Sequence, residues 1–163
     1  AYEPMLLMVA LGFYLASGSF SVGDILTGAH MNILRMPGIF FGLCFILLIK
    51  FRKSPFDISM SHEAHQELIG GLKTEISGRT LAVVEIAHWY ENVFLFGLVL
   101  LFFASDTWWT WLLGLVICEI VFFAEILIDN CCARIKWERM LASTWLVGLM
   151  AGFLNIAFLM YFK

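Results

Sequence analysis

The chain has 163 residues, of which 61% are hydrophobic, 16% aromatic and only 14% charged, and its mean hydropathy is +0.88. A soluble domain averages roughly 45–50% apolar and about 25% charged residues, so a chain of this size cannot hide its apolar surface from water and lipid must be its solvent. With a net charge of −3, a pI of about 5.8 and no basic tail, nucleic acid is excluded as a partner.

Five apolar stretches approach the roughly 20 residues that a helix needs to cross the hydrocarbon core: residues 5–22, 33–49, 81–104, 108–128 and 141–162. The expectation is an all-α integral membrane protein, a single membrane domain over 1–163, with a long loop at 50–80 between the second and third spans. The chain opens on Ala1, and its first apolar run follows Glu3 and Pro4 without a basic leader or a small-residue cleavage site. We therefore read that run as a permanent span of a larger gene product rather than a signal peptide. Glycines and Pro37 fall inside the spans, which membrane helices tolerate better than soluble ones. Asp106–Thr107–Trp108–Trp109 reads as a tight turn with interfacial tryptophans, and Trp137, Trp145 and Tyr161 also lie near span ends, where amphipathic rings settle.

Five spans put Lys50, Arg52, Lys53, Lys73, Arg79, Arg134, Lys136 and Arg139 on the side of the 50–80 loop, and only Arg35 and Lys163 on the other. The positive-inside rule then makes that loop and the N-terminus cytoplasmic and the C-terminus external, in a multi-pass protein of a prokaryotic cytoplasmic membrane. Cys44 and Cys118 lie in apolar runs, and Cys131–Cys132 are neighbours. With no C-x-x-C, the four cysteines read as small packing residues, not as ligands of a cluster or a structural zinc.

Charged groups inside a span cost about 2.5–3.5 kcal/mol each on insertion scales, so each needs a reason. The third span carries Glu85, His88 and Glu91 at three-residue steps, extended by Asn92. The fourth carries Glu119, Glu125 and Asp129, the last two sharing a helical face. Glu85 and Asp129 also suit the headgroup level, solvated. Glu91 and Glu119 sit well inside their spans and point to an ion or proton path, since a carboxylate out of water can exchange protons near neutral pH. His88, between two acids, suits a relay.

The loop opens on Pro55 and continues His62–Glu63–Ala64–His65. That is one residue short of the H-E-x-x-H zinc motif, and Gly70–Gly71 breaks any helix after it. From the residues alone it is an acid-rich cytoplasmic entrance, continuous with polar groups descending into the third span, or the seat of a soluble partner.

Pro55–Phe56–Asp57, then Glu63 to Gly71, then Thr74 to Gly78 resemble the signature loop of the complex I subunit 1/H family. This membrane subunit seats the electron-transfer arm in respiratory complex I and in ion-pumping nickel–iron hydrogenases. Several departures resemble the energy-converting hydrogenase branch, the Ech-type and carbon-monoxide-induced enzymes. His65 replaces an acid, Ile76 replaces a Tyr, and about three residues are inserted between Asp57 and Glu63. His88 stands at the Glu position of the "AEY" motif, and Lys50 to Lys53 replace the acidic "AET". Ile126 to Trp137 fits the same branch.

The resemblance covers essentially the whole chain, and since family members have about eight spans, it implies that these five are the C-terminal part. It further implies an anchor and coupling subunit of a ferredoxin-linked, ion-translocating nickel–iron hydrogenase, moving protons or sodium. Its partners would be a cluster-bearing small subunit, a large nickel–iron subunit and antiporter-like membrane subunits, with the iron–sulfur clusters and the nickel–iron centre held by partners. No metal or catalytic residue is expected in this chain. Asp57, His62, Glu63, His65, Glu67 and Glu75 would couple the loop to the cluster-bearing subunit. Glu67, Glu75, Glu85, His88, Glu91, Glu119 and Glu125 would form the ion path. Arg52, Lys53, Arg79, Arg134, Lys136 and Arg139 would dock the arm or set topology. The alternatives are a quinone-reducing complex I subunit, a stand-alone ion transporter and a passive anchor.

Overall fold

The structure is a computed structural model that describes residues 3–28, 31–51, 76–132 and 137–161, with only the backbone described for Trp137 and Leu149. Regular structure among these residues is helical throughout. Helix α1 runs Glu3–Ser17, with Glu3 against its positive N-terminal dipole. It stops five residues short of the expected span because Gly18 turns to φ +78°, a left-handed conformation open to glycine at little cost. The Ser17 hydroxyl donates to the Phe13 carbonyl (2.8 Å) and caps the break. A short helix, α2 (Val22–Leu26), follows.

The second apolar run is also shorter than expected. A single 3-10 turn occupies Asn32–Leu34, and α3 (Pro37–Lys50) begins at Pro37 itself. Proline has no N–H to give and its ring disfavours a helical residue before it. Met36 accordingly sits at φ −132°, ψ 49°, and Pro37 starts the helix instead of lying within it. At 15 and 14 residues, α1 and α3 are about 22 and 21 Å long, less than the roughly 30 Å of hydrocarbon. Among the described residues three helices are long and apolar enough to cross a membrane: α4 (Arg79–Phe103), α5 (Trp108–Cys131) and the Glu138–Tyr161 stretch. That last stretch is α6 (Trp137–Val147), a π-helical segment (Gly148–Phe153) and α7 (Leu154–Tyr161). Much of the expected loop, residues 52–75, lies outside the described residues.

α4 and α5 form an antiparallel hairpin. The connection is tight, as expected, but it occupies residues 104–107, with Trp108 and Trp109 already in α5: the Ser105 N–H donates to the Thr110 hydroxyl (3.0 Å), which donates to the Thr107 carbonyl (2.5 Å). Both tryptophans are exposed, their rings 3.9 Å apart. The register is fixed by Phe96 against Phe122 (5.8 Å) and by the Cys118 thiol donating to the Phe96 carbonyl (3.6 Å). Gly114 lets the helices close, since a Cβ there would lie 2.7 Å from Leu100.

The core forms where α3 is enclosed by α1, α4 and the π-helical segment. Ile39, Leu43 and Leu47 of α3 are fully buried with Val9, Leu95, Val99 and Phe102. The Phe102 ring meets Phe13 at 4.8 Å and Phe40 at 5.3 Å. Phe51 stacks on Phe96 at the other end of α3, so α3 runs antiparallel to α4. Its last residue, Lys50, reaches only to the middle of that helix.

Candidate functional site: a polar layer at mid-helix depth

Lys50 is the last residue of α3 and Glu91 the thirteenth of α4's 25. The Lys50 Nζ donates to Glu91 Oε1 in an ion pair whose side chains are 16% and 39% exposed. One turn back, His88 brings Nδ1 to 3.8 Å from Glu91 Oε2. α3 is short, and that shortness places the lysine here: its C-terminal dipole favours a cation at the end, and the end lies at mid-α4 depth. The expectation counted Lys50 only as a loop-side topology charge. What reasoning from the sequence missed was the depth of α3, and the available signal was Pro37, which moves the helix start towards Lys50.

Glu125 lies at the same level. The hairpin register sets Phe96 opposite Cys118 and Phe122, so residue 125 falls opposite Glu91. Glu125 is 3% exposed, the most deeply buried acid among the described residues. Asp129 follows one turn later on the same face and is half-buried, as are Glu85 and Asn92. Lys50, His88, Glu91, Glu125 and Asp129 thus form one polar layer through an otherwise apolar bundle. A charge here acts through a low effective dielectric, so proton or cation arrival at one group is felt by its neighbours.

Glu119 is not brought into this layer. It lies six residues, about 9 Å and about 120° of rotation, from Glu125, and it is exposed. It lines a groove of about 500 Å³ between α4 and α5 with Val93, Phe96, Gly97, Leu100, Leu115, Cys118 and Phe122.

The loop residues Asp57, His62, Glu63, His65, Glu67 and Glu75 lie outside the described residues, as do Arg52, Lys53, Arg134 and Lys136. Arg79 and Arg139 are described and exposed, at the starts of α4 and of the last long helix. Cys44 and Cys118 are half-buried packing residues, whereas Cys131 and Cys132 are exposed. The packing role expected of that pair is not met among the described residues, where both are exposed. Among the described residues no three His, Cys, Asp or Glu converge as a metal site.

The family model described as NADH dehydrogenase matches residues 1–160. The chain is similar to the H subunit of the NADH-quinone oxidoreductase of Syntrophotalea carbinolica, 26% identical over 165 residues that cover 96% of this chain and 48% of that protein. It is similar to the second H subunit of the same kind of enzyme in Cereibacter sphaeroides, 27% identical over 169 residues, covering 96% and 50%. The H subunit of the Thermomicrobium roseum enzyme is 27% identical over 177 residues, with the same coverage of 96% and 50%. The chain spans about half the length of the curated relatives it matches. No solved structure matches it.

Proposed function

This chain belongs to the NADH dehydrogenase family, the complex I subunit 1/H family, and from that premise we propose that it is a membrane coupling subunit of a complex I-like oxidoreductase. It joins electron transfer in a soluble arm to ion movement across a prokaryotic cytoplasmic membrane. The observation that carries this reading is the polar layer: Lys50, His88, Glu91 and Glu125 inside an apolar bundle, on the side from which the 50–80 loop departs. A passive anchor has no use for those groups.

The relatives' names favour quinone as the electron acceptor, and we adopt that over the hydrogenase reading drawn from the loop's departures. In this reading Asp57, Glu63, Glu67 and Glu75, with His62 and His65, face the arm. Glu85, His88, Glu91 and Glu125 continue the ion path towards further membrane subunits. The exposed Arg79 and Arg139 serve the docking side.

A ferredoxin-linked nickel–iron hydrogenase subunit is the second reading. It is favoured by His88 at the usual Glu position, here within reach of Glu91, and by Lys50 at the end of α3 where complex I has acids.

Capture of the chain with its partners from native membranes in mild detergent separates the two. Iron, flavin and extractable quinone without nickel support the first reading, and nickel and iron without flavin the second. Recovery of the chain alone, still able to transport ions, refutes both. With the complex in hand, Glu67→Gln should leave assembly intact and lower ion pumping. Full pumping in that variant takes Glu67 off the path.

A further inference from the structure

We propose that the groove around Glu119 seats a transmembrane helix of another subunit, and that this helix carries a lysine or arginine at mid-membrane depth. The inference rests on the chain working within a multisubunit complex, whichever electron acceptor that complex uses. Three observations carry it.

The first is depth. Trp108 and Trp109 are exposed at the start of α5, where paired tryptophans mark a membrane interface. Glu119 is the twelfth of α5's 24 residues, about 16 Å along the helix from Trp108. That is the centre of a hydrocarbon core of about 30 Å. No lipid headgroup reaches so far, and a glutamate side chain is too short to reach the interface in return.

The second is charge. Glu119 is exposed, and among the described residues no cation pairs with it. Lys50, at the end of α3, is engaged by Glu91. An intramembrane carboxylate facing outward is costly to leave in lipid and calls for an opposite charge from outside the described residues.

The third is shape. The groove is walled by Phe96 and Leu100 of α4 and by Leu115 and Phe122 of α5, with Glu119 as its charged lining residue. At Gly97 a Cβ would meet nothing within 4 Å, so the notch is vacant within the chain and admits a large side chain. A long basic side chain from a helix laid along the hairpin fits both the volume and the charge. This assignment gives Glu119 a docking role, apart from the path through Glu91 and Glu125.

The test uses the whole complex in native membranes. A photoreactive benzoylphenylalanine is placed at Val93 on the groove rim, and the adduct is identified by peptide mass spectrometry. The expected adduct is a transmembrane peptide of a different subunit with Lys or Arg in its central third. Glu119→Lys should abolish it by like-charge repulsion, and Gly97→Leu, whose Cβ meets nothing within 4 Å inside this chain, should lower it by about tenfold or more. An adduct to lipid only, to a second copy of this chain, to a segment of the same subunit outside these 163 residues, or to a peptide without a basic residue overturns the proposal, as does no adduct at all. Adduct levels unchanged in both variants overturn it too. Metal and flavin contents of the same preparations report on the proposed function independently, so the two can fail separately.

Discussion

Replacing Lys50 by methionine keeps the stem of the side chain and removes only the charge, leaving Glu91 with His88 as its neighbour at 3.8 Å. Two unit charges about 4 Å apart at an effective dielectric of about 20 attract by about 4 kcal/mol. Breaking a fully buried pair from one side costs about 3–5 kcal/mol. This pair is not fully buried: the lysine is 16% and the glutamate 39% exposed. Allowing for that screening, Lys50→Met should destabilise the subunit by about 1–2 kcal/mol. Glu91→Gln alone should cost a similar amount, because it strands the lysine. The double variant should cost less than the sum, since two neutral groups leave no charge uncompensated. The assay is detergent-denaturant titration of the purified subunit in mixed micelles, followed by tryptophan fluorescence for the four members of the cycle. A coupling of about 1 kcal/mol or more is expected. Additivity within about 0.3–0.5 kcal/mol refutes the reasoning and leaves Lys50 as a lysine that reaches water by itself.

Three further outcomes are expected. Glu125→Gln should preserve assembly and thermal midpoint while lowering ion movement per electron pair, measured in proteoliposomes with a pH- or sodium-sensitive dye; an unchanged ratio removes Glu125 from the path. Gly38→Ala should destabilise more than Gly12→Ala. A Cβ at Gly38 meets the Ala151 carbonyl at 2.9 Å, and backbone cannot swing aside, whereas a Cβ at Gly12 meets the mobile ends of Ile39 and Met36. Costs of about 1–3 kcal/mol and under about 1 kcal/mol are expected, and equal thermal midpoints for the two variants contradict this packing. Thr110→Val should cost about 1–2 kcal/mol by leaving the buried Ser105 N–H without its acceptor, seen as faster hydrogen exchange at Ser105; protection equal to wild type refutes it.

The composition carries the helical, membrane-embedded character without ambiguity, because no water-solvated packing accommodates so apolar a chain. The long helices are legible to within a few residues: α4 and α5 start and stop where charge and Ser105–Thr107 interrupt the apolar runs. The short ones are not, because tolerance of Gly and Pro inside a membrane span is a permission and does not say which residue uses it. Gly18 and Pro37 both mark helix ends here, and only neighbours such as Phe13, Asn32 and Met36 decide that. Glu91 and Glu125 stand out in the sequence as costly charges, but their grouping depends on helix register, which a single apolar run does not encode. Glu119 looks like their equal in the sequence for the same reason.

Glu119 and Glu125, two carboxylates on one apolar run, have opposite fates, and the hairpin explains it. α4 and α5 close on each other at Gly114, so one sector of α5 faces α4 and the bundle while the sector about 120° away faces outward. Glu125 occupies the first, buried at the level of Glu91, Lys50 and His88. Glu119 occupies the second, where a charge is tolerable only when something else covers it. In the proposed reading the same helix serves ion coupling on one face and subunit association on another, and a change of register between the two acids should separate them. A single-alanine insertion between Phe122 and Phe123 turns the C-terminal half of α5 by about 100°, carrying Glu125 out of the polar layer and leaving Glu119 in its groove. The expected result is a complex that assembles and cross-links from Val93 as before but no longer couples. Loss of the cross-link with coupling retained refutes the division of roles between the two faces.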